Sequence, residues 1–171
     1  AKPTDIKNNP DIKSRVERIR TFRESSPKTA TRKWAETPTL FMEDRQPKSD
    51  YLMIPVVSSE LRKYIPIGFI DKNTISTNGN LIMPNGNLYH FGVLMSTMHM
   101  AWLKTVCGRL KSDFRYSKDI VYNNYPWPEK PSEKQIKTIE EKAQNVLDVR
   151  ASFPNSSLAD LYSSLPMPPT L

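Results

Sequence analysis

The stretch from Leu88 to Tyr116 sets the tightest limit on the fold, because a long apolar segment there runs straight into a short basic one. Phe91, Leu94, Met95, Met98, Ala101, Trp102 and Val106 recur at steps of three and four, which gathers them on one face of a helix. Such a face has to be buried. The segment therefore predicts a central core helix, with Lys104 in its last turn and Gly108 at its stop. Arg109 to Tyr116 then alternates: in extended chain Lys111, Asp113 and Arg115 share one face, and Leu110, Ser112, Phe114 and Tyr116 the other. A face that offers donors and an acceptor together is what reading base edges in a major groove requires. It is also what a solvated edge strand displays.

The flanking segments build around that core. Asn9-Pro10-Asp11 opens a helix from about Pro10 to Glu24, with Ile12, Val16, Ile19 and Phe22 on one face and arginines on the others. Ser25-Ser26-Pro27 breaks it. Lys28 to Trp34 mixes cations, hydroxyls and an indole, which suits either a phosphate backbone or a helix start with Trp34 in the core. Tyr51 to Val57 and Ile65 to Ile70 read as strands, the first with Pro55 at an edge or bulge. Thr74-Ile75-Ser76 and Leu81-Ile82-Met83, joined across Asn78-Gly79, read as a hairpin, and Asn85-Gly86-Asn87 as a turn. Past Tyr116, Asn123-Asn124-Tyr125-Pro126-Trp127-Pro128 predicts an extended path anchored by aromatics. Ser132 and Gln135 form a capping box for a helix carrying Ile136, Ile139, Ala143, Val146, Leu147 and Arg150, which ends before Pro154. Leu158, Leu161, Leu165 and the late prolines predict a strap. The fold class that follows is α+β: a small, mostly antiparallel sheet packed on a central helix, with an N-terminal basic helix and a C-terminal helix plus proline-rich strap.

Charge narrows the partner. The net charge is +7 with a pI of about 9.5, and it is unevenly spread. Lys13 to Lys33 holds eight basic residues against two acidic, and Lys104 to Lys118 five against one, whereas Glu129 to Leu171 holds five against six. Two basic segments beside a neutral one imply a surface with a direction and an anionic partner, nucleic acid first. Cys107 is the only cysteine, so no intrachain disulfide can form and a cytoplasmic setting is expected. No apolar run approaches the roughly 20 residues that cross a bilayer, so no membrane partner is expected. The chain starts at Ala1 rather than Met, compatible with a piece of a longer protein.

The chemistry-bearing residues are sparse. His90 and His99, nine residues apart on one helix, point to opposite sides and cannot share a metal ion; packing or capping suits them better. Cys107 has no base beside it in sequence, and no glycine loop cradles a phosphate. Asn123-Asn124-Tyr125-Pro126-Trp127 shares letters with the Asn/Asp-Pro-Pro-aromatic loop of base-flipping methyltransferases, but in the wrong order. Neither catalytic residues nor a cofactor site is expected in this chain, which by itself should turn over no substrate.

A longer pattern adds a resemblance. Lys28-Thr29-Ala30-Thr31-Arg32-Lys33, Ala35-Glu36-Thr37-Pro38, Arg45-Gln46-Pro47, Ser58-Ser59-Glu60, Tyr64-Ile65-Pro66-Ile67-Gly68, Leu88-Tyr89-His90-Phe91-Gly92, Met98-His99, Gly108-Arg109-Leu110-Lys111-Ser112-Asp113, Arg115-Tyr116-Ser117 and Val121 to Pro128 occur in this order. The collinear string resembles the C-terminal part of single-chain type IIL restriction-modification enzymes and their orphan methyltransferase relatives. The resemblance implies a DNA adenine-N6 methyltransferase as parent, with S-adenosylmethionine bound by motifs upstream. It implies three segments: residues 1–27 connecting from the upstream methyltransferase domain, 28–122 as the target recognition domain, and 123–171 as a truncated C-terminal helical segment. Double-stranded DNA and that upstream domain would be the partners. Lys111, Asp113 and Arg115, with the turn at Gly79 and Asn80, would select base pairs. Lys111 would donate to guanine O6 or N7, Asp113 accept from cytosine N4, and Arg115 offer a bidentate contact to a further guanine. Lys28, Arg32, Lys33, Arg62, Lys63 and Arg109 would hold the DNA backbone. The alternative function is a basic protein- or RNA-interaction domain without base readout.

Overall fold

A computed structural model describes residues 3–163 and 167–171, and the chain divides into two compact units, Ala1–Arg45 and Gln46–Leu171. The first unit holds helices α1 (Pro3–Asn8), α2 (Pro10–Glu24) and α3 (Thr29–Arg32). Helix α2 starts as its sequence dictates: Pro10 needs no N–H partner in the first turn, and the Asn9 side chain accepts from the N–H groups of Asp11 and Ile12 at 3.0 and 3.2 Å. Its apolar stripe is not buried. No residue of α2 is buried, and Phe22 is 73% exposed, because a unit this short has too little chain to cover a helix face. The loop after α3 is organised by a cation instead. Arg23 Nη1 donates to the carbonyls of Trp34 and Thr37 at 2.8 and 2.9 Å, and its Nη2 to that of Leu40 at 2.9 Å.

The second unit contains two three-stranded antiparallel sheets where the sequence predicts one. The first has β1 (Tyr51–Pro55) between β3 (Gly68–Ile70) and β4 (Asn80–Pro84). The second has β6 (Asp113–Arg115) between β2 (Val57–Ser58) and β5 (Gly108–Leu110). The expected hairpin across Asn78-Gly79 does not form, since β4 pairs along all of β1 and Thr74–Ser76 is not a strand. Side chains take the Thr74 carbonyl: it accepts from Tyr51 Oη at 2.6 Å and Gln46 Nε2 at 3.0 Å. The strand expected from Ile65 likewise shrinks to Gly68–Ile70, as Pro66 has no N–H for a ladder.

The central helix is also two helices, α4 (Leu88–Leu94) and α5 (Thr97–Val106). Ser96 makes the break: its hydroxyl donates to the Val93 carbonyl at 2.7 Å and accepts the His99 N–H at 3.1 Å, acting as the N-cap of α5. The break rotates the buried face. Met98, expected inside, is 63% exposed, while His99, Met100 and Leu103 are buried.

Leu52, Ile54, Ile67, Phe91, Leu94, Leu103, Phe114, Val121 and Ala143 join in one core, drawn from both sheets and from helices α4, α5 and α6 (Glu133–Ala151). Helix α6 carries the capping box expected at Ser132 and Gln135. Its approach to α4 is close: a Cβ on Gly92 would lie 2.6 Å from Ile139 Cγ2 and 3.2 Å from the Ile139 carbonyl. Arg150 ends α6 by joining three elements. Its Nη1 donates to the Ile67 carbonyl at 2.8 Å, its Nη2 to Tyr162 Oη at 2.7 Å, and its guanidinium lies 5.0 Å from the Phe91 ring centre. The strap begins as a helical turn, α7 (Leu158–Leu161), which buries Leu161; Leu165 lies outside the described residues.

Candidate nucleic-acid interface

The alternating segment Arg109 to Tyr116 folds back on itself. Strands β5 and β6 pair with Leu110 opposite Asp113, so Lys111 and Ser112 form a two-residue loop, and Lys111 stands at the tip with φ of 56°. A single extended ribbon would have placed Lys111 in line with Asp113 and Arg115; the turn moves it to the loop. A positive φ at the first loop position and not at the second is the sign pattern of a type II′ turn, which suits glycine there better than lysine. A left-handed lysine costs on the order of 1 kcal/mol.

Asp113 and Arg115 do share a face. Directly paired residues of an antiparallel ladder project to the same side, so one face of the second sheet carries Val57, Gly108, Leu110, Asp113 and Arg115. The opposite face carries Ser58, Arg109 and Phe114. Ser58 and Phe114 are buried, whereas Val57, Leu110 and Arg115 are exposed. The buried ring of Phe114 thus fixes which way its two neighbours point.

Arg109 sits on the Phe114 side with its guanidinium carbon 4.4 Å from that ring centre. Its Nη1 donates to the Ser112 carbonyl at 2.9 Å and lies 3.6 Å from Glu60 Oε2. Glu60 acts twice, because its backbone N–H also reaches Asp113 Oδ1 at 3.4 Å. Sequence inspection missed Glu60. Its only signal was the Ser58-Ser59-Glu60 string, which has no visible link to a residue 53 positions on.

One residue joins the two sheets. The Val56 N–H donates to the Gly79 carbonyl at 3.0 Å, and the Val56 carbonyl accepts from the Tyr116 N–H at 2.7 Å. Pro55 pairs with Asn80 on one side of it, and Val57 with Arg115 on the other. Gly79 and Asn80 are therefore linked to the strand of Asp113 and Arg115 through the stretch Pro55 to Val57, although more than thirty residues separate them in sequence.

The remaining candidates divide between the units. Arg62 and Lys63 follow β2, with Lys63 exposed and Arg62 Nη1 3.4 Å from Ser58 Oγ. Lys28, Arg32 and Lys33 lie in the first unit around α3. Lys28 and Lys33 are exposed, while Arg32 donates to the carbonyls of Ser26 and Pro27 at 2.8 and 3.0 Å.

The histidines cap and pack. His90 closes the capping box of α4 with Asn87. His99, 2% exposed, has Nε2 3.0 Å from Tyr116 Oη, stacks edge-on to Tyr125, and is held by burial at a pKa of about 4. Burial also pushes the Tyr116 hydroxyl well up, reinforced by Tyr122 and Tyr125. His99 thus supports the strand end at Tyr116 in its neutral form. Asn124 Nδ2 donates to the carbonyls of Asp119 and Ile120 at 2.7 and 3.2 Å, tying down the π-helical turn Lys118–Tyr122.

Comparison with known proteins identifies this architecture. The family model of the MmeI target recognition domain matches residues 1–129, and that of the MmeI C-terminal domain residues 131–171. The chain belongs to the MmeI target recognition domain family. It is 40% identical to DNA methyltransferase A of Bacillus subtilis (strain 168) over 168 residues, which is 98% of this chain and 19% of that relative. Among solved structures it is similar to the type IIL restriction-modification enzyme MmeI in complex with DNA, with a TM-score of 0.90 and 45% identity over 99% of this chain and 23% of that one. The chain thus spans about a fifth of the length of these relatives. The match shows the α+β class and a target recognition domain followed by a C-terminal domain, with a DNA methyltransferase among its relatives.

Proposed function

We propose that this chain reads a short sequence in double-stranded DNA through the exposed face of its second sheet. Asp113 accepts from a cytosine amine, Lys111 donates to guanine from the loop tip, Arg115 addresses a further guanine, and Gly79 and Asn80 contact the adjoining base pair. The observation that carries this reading is the Val56 junction, whose two backbone bonds run to Gly79 and Tyr116. It ties the two separate candidate segments to one residue, which supports reading them as parts of one DNA-facing surface. The solved relative, captured with DNA, supports the class of ligand.

Lys28, Arg32, Lys33, Arg62, Lys63 and Arg109 are proposed to hold the phosphate backbone and set the register. Their division of labour is uneven: Lys28, Lys33 and Lys63 present exposed ammonium groups, whereas Arg32 and Arg109 donate to carbonyls of their own loops. In a longer protein of this family, residues 1–27 would connect to a methyltransferase domain, 28–122 would recognise the target, and 123–171 would form a helical segment behind it. The parent reaction would be S-adenosylmethionine-dependent methylation of adenine N6 in the cytoplasm, with donor and chemistry supplied upstream. The described residues contain no helix long and apolar enough to cross a membrane.

Selection from duplex DNA of random sequence tests the reading. One short asymmetric site is expected, and exchanging the side chains by Lys111→Asp with Asp113→Lys should change the preferred base at one position. Equal weakening on every sequence would mean that these residues touch only the backbone. Tighter binding to RNA or to an acidic protein, with no duplex preference, would favour an interaction domain without base readout.

A further inference from the structure

On the proposed reading face, Leu110 stands directly opposite Asp113 and is 51% exposed. One exposed leucine is ordinary; this one is the cross-strand partner of the proposed cytosine acceptor. Directly opposed side chains start about 5 Å apart and run parallel. Strand β5 lies at the edge of its sheet, and Gly108, two residues earlier on the same face, has no side chain to cover the leucine. Asp113 Oδ1 accepts the Glu60 N–H at 3.4 Å, so a ligand that meets the other carboxylate oxygen also meets the Leu110 side chain, which starts directly opposite.

Cytosine has matching chemistry on its major-groove edge. The N4 amine sits next to C5, which carries hydrogen in cytosine and a methyl group in 5-methylcytosine or thymine. A carboxylate rejects thymine, because O4 is an acceptor, while a leucine favours whatever carries the methyl.

We propose that Asp113 and Leu110 read adjacent atoms of one pyrimidine, and that the site therefore prefers 5-methylcytosine to cytosine at that position. This rests on the base-reading proposal above and adds to it a second specificity residue and sensitivity to a base modification. The Leu110 side chain supplies apolar contact to C5; the carboxylate alone would be indifferent to the methyl group.

The test uses the selected duplex with cytosine, 5-methylcytosine or thymine at the position whose preference depends on Asp113, and measures Kd by fluorescence anisotropy for the 171-residue chain. The methylated duplex should bind about three- to fourfold more tightly than the unmethylated one, the worth of burying one methyl group. Thymine should bind more weakly than both. Leu110→Ala should bring the methylated-to-unmethylated ratio to about one without lowering the unfolding midpoint, and Leu110→Met should retain the preference. A ratio of one in the unaltered chain overturns the proposal, as does a preference that survives Leu110→Ala. The two levels separate cleanly. If the Lys111 and Asp113 exchange leaves base preference unchanged, base reading itself fails; if preference changes but methylation has no Leu110-dependent effect, only the role of Leu110 fails.

Discussion

At Lys111 a residue with a side chain occupies a position that glycine would occupy more easily, with φ of 56°. Strain that persists at a loop tip is expected where the side chain has a task. Lys111→Gly should hold or raise stability by up to about 1 kcal/mol, seen as a higher denaturant midpoint, while erasing base preference at the position Lys111 is proposed to read. His99 gives a prediction of opposite character. Its pKa is about 4 in the folded chain against an ordinary 6.5, so the unfolded chain binds the proton more readily. Stability from this residue is complete above pH 6.5 and falls as pH drops towards 4, by about 1.4 kcal/mol per pH unit and about 3 kcal/mol in all. Urea titrations from pH 7 to pH 5 should show that decline, and His99→Gln, which cannot titrate, should lose this component of it.

Among the elements, the α4–α6 contact and the Arg150 junction determine whether the C-terminal segment stays on the sheets. Gly92 permits the helix crossing because a Cβ there would meet both the Ile139 side chain and its backbone carbonyl, and backbone cannot easily give way. Gly92→Ala should destabilise by about 1–3 kcal/mol in thermal unfolding. Arg150→Ala would strip partners from the Ile67 carbonyl and the Tyr162 hydroxyl together, and should cost about 2–4 kcal/mol. Limited proteolysis would then cut near Pro154 before it cuts the sheets. Local signals made some of these elements plain: Asn9-Pro10 for α2, and Ser132 with Gln135 for α6. The same kind of signal was present at Ser96 and outweighed by the apolar run around it. The hydroxyl and the run compete for one backbone, and only packing decides which wins.

For the whole molecule, recognition has to combine a sequence-blind electrostatic term with a small reading surface. Observed affinity should fall with salt, with a log–log slope of about −0.9 for each phosphate neutralised. Lys28→Ala, Lys33→Ala and Lys63→Ala should each reduce the slope by about one and leave the preferred bases unchanged. Asp113→Asn should do the reverse, altering preference with little change in slope. Gel-shift titrations between 50 and 200 mM salt on matched and mismatched duplexes separate the two effects.

By itself the sequence determined the α+β class, the boundaries of α2, the capping of α6, the uneven positive charge and the kinship with DNA methyltransferases. All of these are local or collinear properties, written in neighbouring residues or in the order of motifs. Tertiary structure decided the division into two sheets, the pairing of β4 with β1, the break at Ser96 and the linking of Gly79 and Asn80 to the strand of Arg115 through Val56. Each depends on which distant backbone group takes a given N–H or carbonyl. Val56 makes that choice for the proposed reading surface, through one bond to Gly79 and one to Tyr116.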